Sequence, residues 1–191
     1  MTGHSTKVLT EFFKLCNWAY DAWRIHRVLF DDNPRKVELR NSAAGNGLVR
    51  LSIITQEYLL HQISKLHDPA IQQGQANLSI EYMLRFGGWD AETKKKLETV
   101  KARLDEFAAQ LKTVRNKVLS HNDLESTLNG STLGAFTDGE DVEYFRSLQE
   151  FVDIIHKATV GGTNLFCEDA ANDAAIVSEF LAASLPCLKN N

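Results

Sequence analysis

The sequence predicts an all-α protein, an up-and-down helical bundle of about four main helices plus two shorter ones. Three observations carry this. Leu and Ala together number 41, against 20 for Val and Ile, a mix that favours helix over sheet. Gly and Pro number only 14 in 191 residues, well below the usual share of about 12%. Apolar residues recur at three- and four-residue spacings, with no sustained strand-like alternation. The length suits one domain with a real core, so residues 1–191 are expected to form a single helical domain.

The first helix is expected over residues 6–30. Val8, Leu9, Phe12, Leu15, Cys16, Ala19, Trp23 and Ile25 give it a wide buried face. Asp31-Asp32-Asn33-Pro34 ends it, with Asn33 as the next N-cap and Pro34 at the first helical position. A second helical region covers 35–67, broken at Ala43-Ala44-Gly45-Asn46-Gly47. Asp68-Pro69 stops it, because the residue before proline disfavours helical angles. Residues 70–76 are polar and glutamine-rich and read as a loop.

Asn77-Leu78-Ser79 opens a short helix to about residue 86, and Gly87-Gly88 closes it. Asp90 caps a long helix over 91–118. Its apolar residues, Leu97, Val100, Leu104, Phe107, Leu111, Val114 and Val118, alternate intervals of three and four, a heptad seam. Such a seam packs inside its own bundle or against a second chain. Residues 122–139 read as a long polar connection. Helices over 141–160 and 168–185 complete the chain, with Gly161-Gly162 and Pro186 as their stops.

Composition narrows the function. No apolar run reaches the roughly 18–20 residues a membrane helix needs, and residues 1–7 lack a basic-then-apolar signal pattern. Cys16, Cys167 and Cys187 are odd in number and form no CxxC pair, which argues against a disulfide framework or structural zinc. A reducing, cytoplasmic location without membrane contact is expected. Net charge is −4, so the chain is not a generally basic nucleic-acid binder. The charge is uneven, however. Residues 85–121 carry nine basic and five acidic side chains, and residues 122–191 carry three and twelve. Local positive charge beside a site suits an anionic substrate.

The basic segment ends on Arg115-Asn116-Lys117-Val118-Leu119-Ser120-His121. Arginine holds phosphate with a planar fork of donors and a permanent charge. Histidine titrates near neutrality and gives or takes a proton. Together they suit cleavage of RNA without a metal. Six residues advance an ideal helix by about 600°, so Arg115 and His121 share a face only where the helix ends or bends between them. His121 also follows Val118 by three residues, on the line of the apolar seam. His61 and His67 lie six apart with no third ligand nearby, so neither metal nor cofactor is expected. Lys94-Lys95-Lys96 reads as a solvated run near its helix start, with RNA phosphates as the alternative contact. The aromatic residues of the first helix, Phe12, Phe13, Trp18 and Trp23, read first as core.

The sequence resembles the HEPN superfamily, whose mark is Arg, then a polar residue, with His four to six residues beyond the Arg. Arg115, Asn116 and His121 match that pattern. It is more closely similar to the AbiU-type abortive-infection branch, through Leu66-His67-Asp68-Pro69-Ala70, Asn77-Leu78-Ser79-Ile80, and Arg115-Asn116-Lys117 with His121-Asn122-Asp123. The motifs cover about residues 1–160, leaving 161–191 as an extra C-terminal helix. The resemblance implies a homodimeric, metal-independent endoribonuclease used in antiphage defence or as a toxin, with two Arg–His pairs in one composite site. Arg115 would hold the scissile phosphate, His121 would be the general acid/base and Asn116 would orient groups within the site. Lys117 and Asp123 would support substrate binding. Some members carry a Tyr two residues beyond the His as a target for nucleotide transfer; here that residue is Asp123, and that control is not expected. Partners would be RNA, a second copy, and a protein partner or antitoxin. The alternative is a non-catalytic HEPN-like interaction or regulatory module.

Overall fold

The computed structural model describes residues 5–114 and 139–188. Within them the chain is helical apart from one small hairpin. Five long helices are α1 (Thr6–His26), α3 (Gly45–Leu66), α5 (Ala91–Val114), α6 (Glu140–Thr159) and α7 (Asp169–Leu188); α2 (Lys36–Arg40) and α4 (Ile80–Phe86) are short. The all-α class is as the composition indicates. Two compact units divide the chain: Met1–Trp18 with Leu60–Phe166, and Ala19–Leu59 with Cys167–Asn191.

The first unit is built on α5 and α6. Arg103 meets Glu150 and Phe107 stacks near Tyr144, so later residues of α5 meet earlier ones of α6 and the helices run antiparallel. Leu97, Val100, Leu104, Phe107 and Leu111 of the heptad seam are all buried. They pack inside the chain, against a face of α6 that buries Phe145, Leu148, Phe151, Val152 and Ile155. Phe12 of α1 completes this core, its ring 6.2 Å from that of Phe151 in an edge contact. Cys16 is fully buried there. Glu140, Asp141 and Glu143 in the first turn of α6 oppose the positive end of its dipole.

Residues 70–76 are not the loop their composition indicates. Ile71–Gln72 (β1) and Gln75–Ala76 (β2) pair antiparallel, Ile71 with Ala76 and Gln72 with Gln75. Gln73 and Gly74 both take positive φ, 50° and 81°, the backbone of a tight two-residue hairpin turn. Both strands are fully exposed, so no apolar alternation marked them. The base is clamped: the Asn77 amide Nδ2 donates to the Pro69 carbonyl (2.8 Å), and the Ala70 N–H donates to Glu81 (3.0 Å).

The second unit contains the end of α1, α2, the start of α3, and α7. Helix α1 stops short of residue 30 because Arg27–Asp31 widens into a π turn, with the Asp32 N–H reaching the Arg27 carbonyl at 2.8 Å. Asn33 is not the N-cap the sequence indicates, and Pro34 is not the first helical residue: the cap of α2 is Arg35, and Asn33 shapes the turn before it. The Asn33 Oδ1 accepts the Arg35 N–H, while its Nδ2 donates to the Leu29 carbonyl and the Ser178 hydroxyl. The break before α3 lies at residues 41–44, and the two glycines sit inside the first turn of α3 rather than outside it. Gly45 is there for space: a Cβ would stand 1.9 Å from the Arg40 carbonyl oxygen. Helix α7 continues past Pro186 to Leu188. Proline's own φ is helical, so it removes a donor without unwinding the turn.

Candidate functional site

Arg115, Asn116, Lys117, His121 and Asp123 all lie outside the described residues. The structure describes what leads to them. Helix α5 is described as far as Val114, the residue before Arg115 in sequence, and its neighbours hold it in place.

The main brace is a polar cluster around His67, just past the end of α3. Its Nδ1 lies 3.1 Å from Asp105 of α5, and its Nε2 lies 3.1 Å from the Tyr144 hydroxyl of α6. Lys101 pairs with the same carboxylate one turn earlier on α5. The chemistry of the partners assigns the protons. Burial raises the Asp105 carboxyl, but hydrogen bonds from His67 and Lys101 outweigh it and leave the group below its ordinary value. Asp105 is therefore an acceptor, and His67 donates Nδ1–H to it. Burial, with the Asp105 charge behind it, holds the Tyr144 phenol well above its ordinary value. Tyr144 therefore keeps its proton and donates it to Nε2. Both ring nitrogens of His67 are thus engaged, and its side chain is 11% exposed. That arrangement positions; it does not present a free base.

The sequence missed this cluster. Asp105 and Tyr144 lie 38 and 77 residues from His67, and no local pattern links them. Among the described residues, no group of three or more His, Cys, Asp or Glu side chains is placed to hold a metal.

The lysine run sits at the other end of the same helix. At 1.5 Å per residue, Lys95 lies ~28 Å from Val114. Lys96 pairs with Glu92 and Lys94 with Glu98. Lys95 and Lys96 border a cleft of about 1010 Å³ that also holds Arg146 and Lys157, with Glu92, Glu150 and Asp153 among them. Its cations are nearly matched by carboxylates. An apolar groove of about 410 Å³ lies in the second unit, lined by residues including Phe30, Leu39, Val49, Ile53 and Val177. Neither cavity has the one-signed lining that a polyphosphate chain needs. The aromatics of α1 divide: Phe12 and Trp23 are buried, and Trp18 is 57% exposed.

A family model of HEPN type, described as AbiU2, matches residues 6–180. The chain belongs to the AbiU2 family. Comparisons with curated proteins and with solved structures gave no match. Two of the three motifs that carry the likeness to AbiU proteins fall among the described residues, and both have structural work. Within Leu66-His67-Asp68-Pro69-Ala70, Leu66 and Ala70 are buried, His67 ties α3 to α5 and α6, and Pro69 closes the hairpin. Within Asn77-Leu78-Ser79-Ile80, Asn77 is the other half of that clamp. Ser79 caps α4 by accepting the Tyr82 N–H at 3.2 Å, and Ile80 is buried. These AbiU2 motifs are therefore scaffold around α5 and its neighbours.

Proposed function

We propose that this AbiU2-family chain is a metal-independent endoribonuclease of HEPN type, active in the cytoplasm as a homodimer in antiphage defence or as a toxin. The carrying observation is the coincidence of a family match over residues 6–180 with the Arg115-Asn116 and His121 pattern of the superfamily. The braced α5 supports it, because a catalytic pair needs a rigid root.

In this reading His121 takes the proton of a ribose 2′-hydroxyl, and the oxygen attacks the adjacent phosphorus. Arg115 holds the phosphate as charge builds on its oxygens. The bond to the 5′-oxygen breaks, and that oxygen leaves with a proton from the acid form of a site histidine. The products are a 2′,3′-cyclic phosphate and a 5′-hydroxyl. Asn116 orients groups within the site, and Lys117 and Asp123 support substrate binding.

A second reading is a non-catalytic interaction module. It draws on the seam that His121 extends in sequence: through Leu111 that seam is buried inside the chain, and a histidine on a buried seam has a packing role. RNA cleavage in EDTA separates the two readings. The native protein should cleave, and Arg115→Ala and His121→Ala should each lose at least about 100-fold in rate. No cleavage of varied RNAs by the native protein would favour the module. Cleavage surviving both substitutions would place the chemistry elsewhere.

A further inference from the structure

The apolar groove of the second unit takes all of its lining from that unit. Leu29 and Phe30 enter it from the π turn, Leu39 from α2, Leu48 from α3 and Leu181 from α7. Single π turns are rare and are frequent at functional sites; three of the five residues in this one, Leu29, Phe30 and Asp31, line the groove. Asn33, 3% exposed, spaces the walls. Its Nδ2 donates to the Leu29 carbonyl at 3.0 Å and to the Ser178 hydroxyl of α7 at 2.8 Å, and its Oδ1 accepts the Arg35 N–H at 2.9 Å. One buried amide thus pins the π turn, α7 and the approach to α2. The groove keeps apolar side chains in contact with water: Val49 is 39% exposed and Val177 47%, both on its lining. Covering them with an apolar group is favourable.

We infer that this groove is a binding site for a straight-chain aliphatic carboxylate of medium length, with the alkyl chain along the apolar lining and the carboxylate on Arg40. The site is separate from the Arg115 and His121 motif and does not rest on the nuclease reading.

Charge complementarity selects the head group. Lys36 and Arg40 lie four residues apart on one face of α2, and both border the groove. Among the described residues the Arg40 guanidinium has no hydrogen-bond or ion-pair partner. Its backbone is fixed against the start of α3, because a Cβ at Gly45 would stand 1.9 Å from the Arg40 carbonyl oxygen. The Lys36 ammonium donates to the Asp31 carbonyl at 2.7 Å and keeps two further N–H groups. The opposing charge on the lining is the Asp31 carboxylate, which the His26 Nε2 faces at 3.5 Å. Two cations against one carboxylate favour a ligand with a single negative charge. The planar fork of arginine takes a carboxylate on two parallel N–H···O bonds.

Size and lining select the tail. A volume of about 410 Å³ lies at the small end of the range for small-molecule pockets, about 300–1,000 Å³. Apart from Phe30, the apolar side chains on the lining are Leu, Val and Ile. A flexible alkyl chain gains dispersion contacts from all of them, whereas a planar ring could stack on Phe30 alone.

The test titrates sodium decanoate, below its micelle concentration, into the full chain by isothermal titration calorimetry, with circular dichroism as the folding control. The native protein should bind one decanoate saturably. Octanoate and then hexanoate should bind more weakly, by about 10-fold for each two methylenes removed. Arg40→Gln, at an exposed residue, should keep native helicity and bind decanoate at least about 10-fold more weakly. Val177→Glu, also at an exposed residue, should abolish binding by placing a carboxylate on the apolar wall. Decyltrimethylammonium, with the same tail and a cationic head, should not bind. No saturable binding of decanoate overturns the inference. Equal binding of decanoate and decyltrimethylammonium overturns the assigned head group, as does an Arg40→Gln variant that binds decanoate as tightly as the native chain. Binding that survives Val177→Glu overturns the groove as the place of the alkyl chain. None of these readouts involves RNA, so the nuclease reading stands or falls on its own assay.

Discussion

Asp105 accepts hydrogen bonds from two basic side chains of different origin, His67 at the end of α3 and Lys101 on its own helix. The bonds hold its carboxyl below the ordinary value although burial pushes the other way. A carboxyl depressed in the folded state stabilises the fold at pH above the unfolded value, near 3.9. That contribution is lost as pH falls through the lower folded value. The native protein should therefore lose melting temperature below about pH 4, and Asp105→Asn should flatten that part of the decline. At neutral pH the same change should lower Tm by no more than about 2–4 °C, since the carboxylate is only partly buried. Melting curves from acid to neutral pH check both. This cluster was invisible in the sequence because its members are joined by the tertiary fold alone. The Arg115, Asn116 and His121 pattern was legible because it is local, seven residues on one stretch, and it lies outside the described residues.

At the scale of elements, spacing carried most of the information. The three-four rhythm of Leu97 to Leu111 marks both helix α5 and its buried face, because a helix period and an internal partner leave the same trace. It could not say whether the partner was internal; the packing of α6 answers that. Capping was equally readable. Asp90 accepts the Thr93 N–H at 2.9 Å, and Ser79 does the same for Tyr82. Ser79→Ala should destabilise the protein by about 1 kcal/mol, the usual worth of an N-cap; chemical denaturation measures it. What failed were the ends set by unusual backbone. The π turn at Arg27–Asp31 and the hairpin at Gln73-Gly74 follow from single hydrogen bonds and φ angles, which side-chain periodicity does not encode.

For the whole molecule, charge sets a condition on function. With a net charge of −4, the proposed nuclease would attract RNA only locally, through the positive segment that ends at the motif. Ionic strength near physiological values screens charges beyond about 8 Å, so distant acidic residues matter less than the contacts themselves. RNA affinity should fall as salt rises, with a shallow slope that reports few phosphate contacts. Fluorescence anisotropy of a labelled RNA bound to His121→Ala, over about 50 to 300 mM salt, measures that slope. A steep slope would mean that the lysine cleft of α5 and α6 also grips the strand. No helix among the described residues is long and apolar enough to cross a membrane.

The clamped hairpin has a practical consequence. Its tip, Gln73-Gly74, stands beyond a base already closed by Asn77 and Pro69, so the helices take no part in its length. Loop-closure entropy grows only with the logarithm of loop length. A tag or fluorophore-bearing insert between those two residues can therefore be read as a passenger: it reports on the protein's position and assembly without entering either helical unit.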